Sequence, residues 1–226
     1  MKDRELEILK RPKSFFSESI RNIRTYLTVS SMKTILNTSA EIGDGKSFVT
    51  ANLAVAFAQD DKKVLVIDAN FRKGRQHEIF HVENVITGGY SNLISNYDDK
   101  IDFEHYICET KVPGLDILPT GPLPENPVEL LESKDNQKLL QKLKKRYDVI
   151  LLDCPPVLDF SDAVVLAPIV DARVVTVFEK KTKMENVEKV KKLFDQLGLK
   201  IDGIILNHAT TSGNNYYGYY YTDAKN

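Results

Sequence analysis

The chain has 226 residues, of which 42% are hydrophobic and 28% are charged, and its formal net charge is −1. This length predicts one domain with an ample core, and the balanced charge gives no reason to expect a nucleic-acid-binding surface. No apolar stretch is long enough to cross a membrane and the first residues lack the apolar core of a signal peptide, so we expect a cytoplasmic protein.

The beginning of the chain predicts an arm followed by a helix. The first dozen residues are charged and predict the arm, and apolar residues at helical spacing then predict an amphipathic helix from Phe15 to Leu27. The polar face of this helix carries Glu18, Arg21 and Arg24. These three residues form either a solvated face with one i,i+3 ion pair or a surface for self-association.

Phosphate binding is predicted where a β-prone run that begins at Thr34 leads into a glycine-rich loop and then a helix. Backbone N–H groups and the positive end of the helix would face phosphate oxygens, a lysine would add a cation, and a serine hydroxyl would ligate Mg²⁺. The residues expected to bind nucleotide are Gly43, Asp44, Gly45, Lys46, Ser47 and Phe48. Ala40 takes the first glycine position of the G-x-x-x-x-G-K-[ST] consensus, and an ordinary glycine-rich turn is the alternative interpretation.

Two later apolar runs each end in an acidic residue, one at Asp68 and one at Asp153. Continuous apolar runs favour strands buried on both faces, and ligands bind at the carboxyl ends of such strands. Asp153 is the candidate to complete a Mg²⁺ site with Ser47, and Asp68 the candidate to polarise an attacking hydroxyl or hold a metal-bound water. A single strand-end Asp is often only a helix cap or a turn residue, but two of them beside a glycine-rich loop favour a site.

Strand and helix patterns alternate along the rest of the chain. The further strand candidates are 115–118, 172–178 and 201–206, and the helix candidates are 47–58, 128–146 in one or two pieces, 161–167 and 184–197. This alternation predicts an α/β fold of the P-loop NTPase-like, doubly wound kind, with a mostly parallel sheet flanked by helices. The Gly-, Asn- and Tyr-rich segment 212–226 has no aliphatic periodicity, so we expect it to be a flexible tail.

Several motifs together resemble the kinase domain of capsule- or exopolysaccharide-type bacterial protein-tyrosine kinases, from about residue 16 onward. They are the glycine-rich loop 40–47, the D-x-D-x-R-like stretch 68–72, the Walker B strand 150–153, the strand 203–207, the loop 121–131 and E-x-x-R-x-x-R at 18–24. The loop 121–131 is the most distinctive of these because it resembles the family's G-x-x-P-x-N-P-x-E-L-L pattern. Asn70 stands where this family usually has Asp, so a neutral oxygen replaces a charge there.

The resemblance implies one tyrosine kinase domain over residues 1–226 that uses ATP and Mg²⁺. It assigns catalysis to Asp68, Lys46 and Arg72, the metal to Ser47, Asp153 and Asn70, and a position near the adenine to Asn207. It implies autophosphorylation of the tail at Tyr216, Tyr217, Tyr219, Tyr220 and Tyr221.

The resemblance also implies partners and a location. Glu18, Arg21 and Arg24 would form the contacts of a homo-oligomeric ring. A separate transmembrane activator of the polysaccharide co-polymerase kind would hold the kinase at the inner face of the cell membrane, and a cognate tyrosine phosphatase would reverse the modification. The implied role is control of capsule or exopolysaccharide synthesis and export.

Two other functions remain compatible with this sequence. One is a P-loop ATPase of the partition or division-site-positioning kind; that group has a lysine at the second position of its glycine-rich loop, where this chain has Glu41. The other is a non-catalytic module that binds nucleotide and assembles, in which Asn70 would mark lost chemistry. Incubation with ATP and Mg²⁺ followed by detection of phosphotyrosine separates the three.

Overall fold

Within residues 6–82 and 88–209, which the computed structural model describes, seven strands form one sheet in the order β3-β4-β2-β5-β1-β6-β7. The strands are β1 (Thr34–Ser39), β2 (Val64–Asp68), β3 (Cys108–Glu109), β4 (Leu115–Leu118), β5 (Val149–Asp153), β6 (Ala172–Phe178) and β7 (Gly203–Asn207). All neighbouring pairs are parallel except β3 with β4. The predicted α/β fold with a mostly parallel sheet is therefore confirmed.

Helices cover both faces of the sheet. In the same described ranges they are α1 (Glu7–Lys10), α2 (Phe15–Val29), α3 (Lys46–Ala58), α4 (Gln76–Ile79), α5 (Tyr90–Ser95), α6 (Pro127–Glu132), α7 (Lys134–Arg146), α8 (Asp162–Leu166) and α9 (Met184–Gln196). On one face α3 packs on the sheet and α2 packs on α3. On the other face lie α5, α7, α8 and α9. The middle strands β1, β2 and β5 are buried on both faces, which is why β2 and β5 are nearly unbroken apolar runs.

The beginning of the described chain differs from its prediction. Instead of an arm, α1 places Leu6 and Ile8 in the core, and the backbone N–H of Ile8 donates to Asn52 Oδ1 of α3 at 3.0 Å. Two apolar residues in a charged stretch are too few to show helical periodicity, so the contact depends on the surface that α2 and α3 already form.

Most predicted elements lie within two or three residues of their observed bounds. The pattern at 128–146 is two helices, because Ser133 ends α6 and caps α7 by accepting a hydrogen bond from the backbone of Asn136. The short edge strand β3 was not predicted, since two residues carry no detectable period. The tail at 212–226 lies outside the described residues. Over 6–82 and 88–209, no helix has the length and apolar character needed to span a membrane.

The strand register sets the position of the site. Asp68 at the end of β2 is paired with Asp153 at the end of β5, and Asn37 of β1 is paired with the same Asp153. Because these strands are parallel, their carboxyl ends meet at one edge of the sheet, beneath the loop that joins β1 to α3.

Candidate active site

The glycine-rich loop has the conformation of a phosphate-binding loop. Gly43 and Gly45 have φ angles of 86° and 88°, a left-handed conformation that glycine adopts without strain. A Cβ atom at Gly45 would lie 2.1 Å from Asn207 Nδ2, so only glycine fits there. Asn207 Nδ2 donates to the carbonyl of Asp44 at 2.9 Å, which links the end of β7 to the loop. The position of Asn207 near the adenine stays a prediction.

Side chains from the β6–α9 connection brace the same loop. The carboxylate of Asp44 is buried and accepts hydrogen bonds from the backbone of Glu41 at 2.9 Å and from Thr182 Oγ1 at 2.8 Å. The carboxylate of Glu41 in turn accepts from Asn186 Nδ2 at 2.8 Å. Lys181 Nζ donates to the carbonyl of Ile42 at 2.8 Å. Asp44 therefore contributes to the nucleotide loop by holding its shape with its side chain.

Lys46 lies between the loop and the end of β5. Its Nζ is 3.2 Å from Ser47 Oγ and 3.6 Å from Asp153 Oδ1. Lys46 is largely buried and Asp153 is completely buried. The structure thus brings together the predicted lysine, serine and Walker B aspartate. Asp153 Oδ1 has no hydrogen-bond partner among the described residues, which leaves one carboxylate oxygen for a ligand.

Asp68 is fully buried beside Asp153. Its Oδ2 accepts hydrogen bonds from the backbone N–H groups of Arg75 at 2.7 Å and Gln76 at 2.9 Å. Burial, and next to it the charge of Asp153, raise the pKa of Asp68 to about 7, although these hydrogen bonds and Lys46 act in the opposite direction. A carboxyl group with a pKa near neutrality is suited to accept and release a proton.

Gln76 is the residue of this site that the sequence reasoning missed. It is fully buried, and its Nε2 donates to Asp153 Oδ2 at 2.7 Å and to the carbonyl of Ser47 at 3.1 Å. The only available signal was its position eight residues after Asp68. Glutamine at that distance has no motif of its own, so nothing in the sequence pointed to it.

The predicted catalytic residue Arg72 and the predicted metal ligand Asn70 are both held by contacts to other residues of the chain. The guanidinium of Arg72 pairs with Asp162, which is completely buried, and lies 4.4 Å from the ring centroid of Phe160. The amide of Asn70 is fixed in a turn: its Oδ1 accepts from the backbone of Lys73 at 3.3 Å and its Nδ2 donates to the Lys73 carbonyl at 3.1 Å. A metal-ligand role for Asn70 and a substrate-binding role for Arg72 stay predictions.

A cleft of about 800 Å³ connects these parts. Its lining comes from the nucleotide loop, the β2–α4 connection and the residues after β5, namely Ser39, Ile42, Gly43, Gly45, Lys46, Ser47, Phe48, Asn70, Arg72, Lys73, Arg75, Glu78, Ile79, His81, Pro156 and Phe160. The cleft is large enough for a nucleotide and part of a second substrate. Residues predicted for nucleotide binding, the metal and catalysis thus line one cavity, but the buried carboxylates of Asp68 and Asp153 are not among its lining residues.

The donor set suits Mg²⁺. This ion binds hard oxygen ligands, keeps several waters and is usually held by one or two carboxylates together with substrate phosphates. The Ser47 hydroxyl and the unpartnered oxygen of Asp153 are donors of that kind. Across the described ranges no three His, Cys, Asp or Glu side chains are grouped to hold a metal by themselves, so an ion here would depend on phosphate oxygens as well.

The predicted self-association residues lie on α2, away from the cleft. Arg21 donates to Glu18 Oε1 at 2.7 Å, the i,i+3 ion pair that the sequence indicated, and to the carbonyl of Pro12 at 2.7 Å. Arg24 donates to the carbonyl of Ala56 at 3.2 Å near the end of α3. The predicted tail tyrosines lie outside the described residues.

The fold and the loop define a P-loop nucleotide-binding domain, and residues 32–205 match the model of a family described as an AAA domain. Among curated relatives, the tyrosine-protein kinase YwqD of Bacillus subtilis (strain 168) is 38% identical over 97% of this chain and 92% of YwqD. The chain belongs to the family of bacterial tyrosine-protein kinases. It also matches the tyrosine-protein kinase wzc of Salmonella typhi with 32% identity, over 97% of this chain but only 31% of wzc.

Solved structures agree with this assignment. The crystal structure of the chimerical protein CapA2B2 superposes with a TM-score of 0.82 and 34% identity, covering 89% of this chain and 88% of that one. The septum site-determining protein MinD from Pyrococcus horikoshii, complexed with Mg-ADP, has a TM-score of 0.63 and 26% identity over 77% of this chain and 69% of MinD. The fold is therefore shared by the two groups that the sequence left open.

Proposed function

We propose that this chain is an ATP-dependent protein-tyrosine kinase that phosphorylates the tyrosines of its own tail. The observation that carries the proposal is the placement of two buried carboxylates, Asp68 and Asp153, in register beneath the P-loop lysine Lys46. Asp153, beside Lys46 and Ser47, would contribute to binding of the nucleotide and its Mg²⁺. The second acid, Asp68 at the neighbouring strand end, would polarise the hydroxyl of the acceptor.

The residues divide the work of phosphoryl transfer. Lys46 and the loop N–H groups stabilise the charge of the ATP phosphates, and Ser47 and Asp153 hold Mg²⁺, which when bound neutralises part of that charge. Asp68 Oδ1, whose hydrogen bond from the Asn70 backbone is long at 3.3 Å, takes the proton of the acceptor tyrosine. Tyrosine has a pKa of about 10, so a base with a raised pKa assists its attack at neutral pH.

The remaining predicted residues define the edges of the two substrate sites. Asn207, held against the loop, lies on the nucleotide side, and Arg72 and Asn70 lie on the acceptor side of the cleft. The acceptor tyrosines would be Tyr216, Tyr217, Tyr219, Tyr220 and Tyr221. The strand that precedes the tail, β7, ends at Asn207 beside the nucleotide loop, which favours use of the tail as a substrate by this chain or by a neighbouring copy.

One contact argues against the partition-type ATPase. The position that carries a lysine in that group is Glu41 here, and its carboxylate is bonded to Asn186 at the start of α9. A lysine cannot accept that hydrogen bond, and a carboxylate cannot do a lysine's work at phosphate.

The wider role follows the relatives. As the family resemblance implies, we infer that a separate transmembrane activator of the polysaccharide co-polymerase kind acts with this kinase. The kinase would then act at the inner face of the membrane in the control of capsule or exopolysaccharide synthesis. A tyrosine phosphatase would remove the phosphate groups that it adds. A ring of copies joined through α2 would bring tails to neighbouring sites.

Incubation of the purified chain with ATP and Mg²⁺, followed by phosphotyrosine immunoblotting and phosphate release, tests the activity. Tail labelling is expected, and Lys46→Met should abolish both the labelling and tight ATP binding, since Lys46 is the cation of the loop. Lys145→Met, an exposed lysine of α7, is the matched control. Phosphate release without labelling would indicate an ATPase. The absence of both phosphate release and labelling would indicate an assembly module.

A further inference from the structure

Gln76 is hydrogen-bonded to both buried carboxylates of the site and to the backbone of the P-loop serine. It is the first residue of α4, and its backbone N–H donates to Asp68 Oδ2 at 2.9 Å. Its side-chain Nε2 donates to Asp153 Oδ2 at 2.7 Å and to the carbonyl of Ser47 at 3.1 Å. The same residue therefore fixes the Walker B carboxylate relative to the serine whose hydroxyl is expected at the metal.

These bonds fix the orientation of the amide. Both hydrogens of Nε2 are used on oxygen acceptors, and a reversed amide would place Oε1 against a carboxylate and a carbonyl. Oε1 is consequently the free end, and within the described ranges it is buried with no hydrogen-bond partner. Asp153 Oδ1 is also buried and accepts no hydrogen bond there, although Lys46 Nζ lies 3.6 Å from it.

Gln76 Oε1 and Asp153 Oδ1 accept no hydrogen bond from the residues that the structure describes, and their side chains are hydrogen-bonded to each other. This arrangement points to a ligand that supplies hydrogen-bond donors or positive charge. A buried acceptor left unpaired costs on the order of 1–3 kcal/mol, so such groups in a native structure usually serve a bound species. Mg²⁺ would provide a partner for both oxygens, because the ion itself attracts the carboxylate oxygen of Asp153 and the waters it retains can donate hydrogen bonds to Gln76 Oε1. A dry apolar ligand would satisfy neither oxygen.

We propose that Gln76 is a positioning residue for the magnesium–nucleotide complex. Its Nε2 holds Asp153 and the Ser47 backbone at a fixed separation, and its Oε1 accepts a hydrogen bond from the hydration shell of the ion. Side chains that orient metal ligands in this way typically change metal affinity about 10- to 100-fold when they are removed. The inference rests on the proposed nucleotide site and adds to it a residue outside the glycine loop and both acidic motifs.

The test measures Mg²⁺ dependence by binding, without turnover. A fluorescent ADP analogue is titrated onto wild type and Gln76→Met over a range of Mg²⁺ concentrations and in EDTA. Methionine matches the length of glutamine but lacks the amide. The matched control is Gln141→Met, an exposed glutamine on α7. We expect Gln76→Met to raise the Mg²⁺ concentration for half-maximal binding about 10-fold or more, with nucleotide affinity in EDTA changed less than about threefold.

Each outcome decides the proposal. An unchanged Mg²⁺ midpoint overturns it, and so does an equal loss of affinity with and without Mg²⁺, which would show a purely structural role. Circular dichroism checks folding, and Gln76→Leu replaces the methionine variant if that one unfolds. If wild type itself binds the analogue without any Mg²⁺ dependence, the proposed function and this inference both fail; if only the variant comparison fails, the proposed function stands.

Discussion

At the scale of single residues, Asp68 combines complete burial with a pKa raised to about 7 by that burial and by Asp153. An unfolded Asp titrates near 3.9, so between these two values the folded chain holds a proton that the unfolded chain has lost. This group's contribution to stability is therefore fully present below about pH 4 and is lost as the pH rises through about 7.

Replacing Asp68 with Asn removes that pH dependence. The free energy of unfolding of Asp68→Asn relative to wild type should rise between about pH 5 and about pH 8, by on the order of 2 kcal/mol, because asparagine stays neutral. Urea unfolding in EDTA at both pH values measures this, with the exposed Asp159→Asn as control. A difference between the two proteins that does not change with pH would contradict the raised pKa.

Asn70 permits a second prediction at this scale. Asn70→Asp keeps the oxygen that accepts from the Lys73 backbone, loses the hydrogen bond from Nδ2 to the Lys73 carbonyl, and adds a carboxylate to the cleft wall. Since Mg²⁺ prefers charged oxygen ligands, tyrosine labelling should increase at limiting Mg²⁺. A Mg²⁺ titration of labelling measures the effect, and Asn22→Asp, exposed on α2, controls for added charge. Equal or lower labelling at every concentration would place Asn70 away from the metal.

At the scale of elements, the connection between β6 and α9 shapes the nucleotide loop through buried and half-buried hydrogen bonds. Thr182 Oγ1 donates to the buried carboxylate of Asp44, and Asn186 donates to Glu41. The loop therefore depends on residues about 140 positions later in the chain, which its own consensus does not include.

Thr182→Val tests this connection because it keeps the side-chain shape and removes the hydroxyl, which donates to Asp44 and accepts from the backbone N–H of Phe178. We expect a loss of about 1–3 kcal/mol in the free energy of unfolding, the cost of an unpaired buried acceptor, together with weaker ATP binding. Thr28→Val on the exposed side of α2 should change stability by less than about 0.5 kcal/mol. Urea unfolding and ATP titration give both values, and a variant with wild-type stability would show that Asp44 needs no side-chain donor from this connection.

At the scale of the whole molecule, the proposed self-association through α2 would connect one chain to the next. The Glu18–Arg21 pair is partly exposed, with side-chain accessibilities of 39% and 26%, whereas Arg24 is also tied to α3. An interface in which one patch meets a different patch on the next copy closes into a ring when its rotation allows. Arg21 and Glu18 can exchange their internal pair for charges on a neighbour at little cost, since exposed pairs contribute only about 0–1 kcal/mol.

The double variant Glu18→Ala/Arg21→Ala therefore tests the ring without disturbing the Arg24 contact to α3. Light scattering should show wild type as a multiple of the chain mass and the variant as a smaller species, with slower tail labelling at high dilution. Labelling itself adds about −1.5 to −2 charges per tyrosine and should loosen the wild-type assembly. The matched control is Glu188→Ala, a change of charge on α9. A wild type that stays monomeric at all concentrations, or a variant with wild-type mass and labelling, would refute the ring.

The sequence by itself determined the elements and the two acids of the site. The strand, glycine loop and helix at 34–58 follow one another directly in the sequence, so their pattern can be recognised there. The placement of Asp68 and Asp153 follows from the rule that the carboxyl ends of parallel strands meet at one edge of the sheet. Period and spacing are local properties, so they can be recognised before the chain is folded.

Only the tertiary structure decided which side chains complete that site. Gln76 contacts Asp153 across 77 positions, and Arg72 contacts Asp162 across 90. Likewise Glu41 is bonded to Asn186, and Ile8 in a charged stretch enters the core. Each of these contacts depends on the relative positions of two packed elements. A hydrogen bond requires placement to within a few tenths of an ångström, and packing against the sheet, not the identity of neighbouring residues, sets that placement.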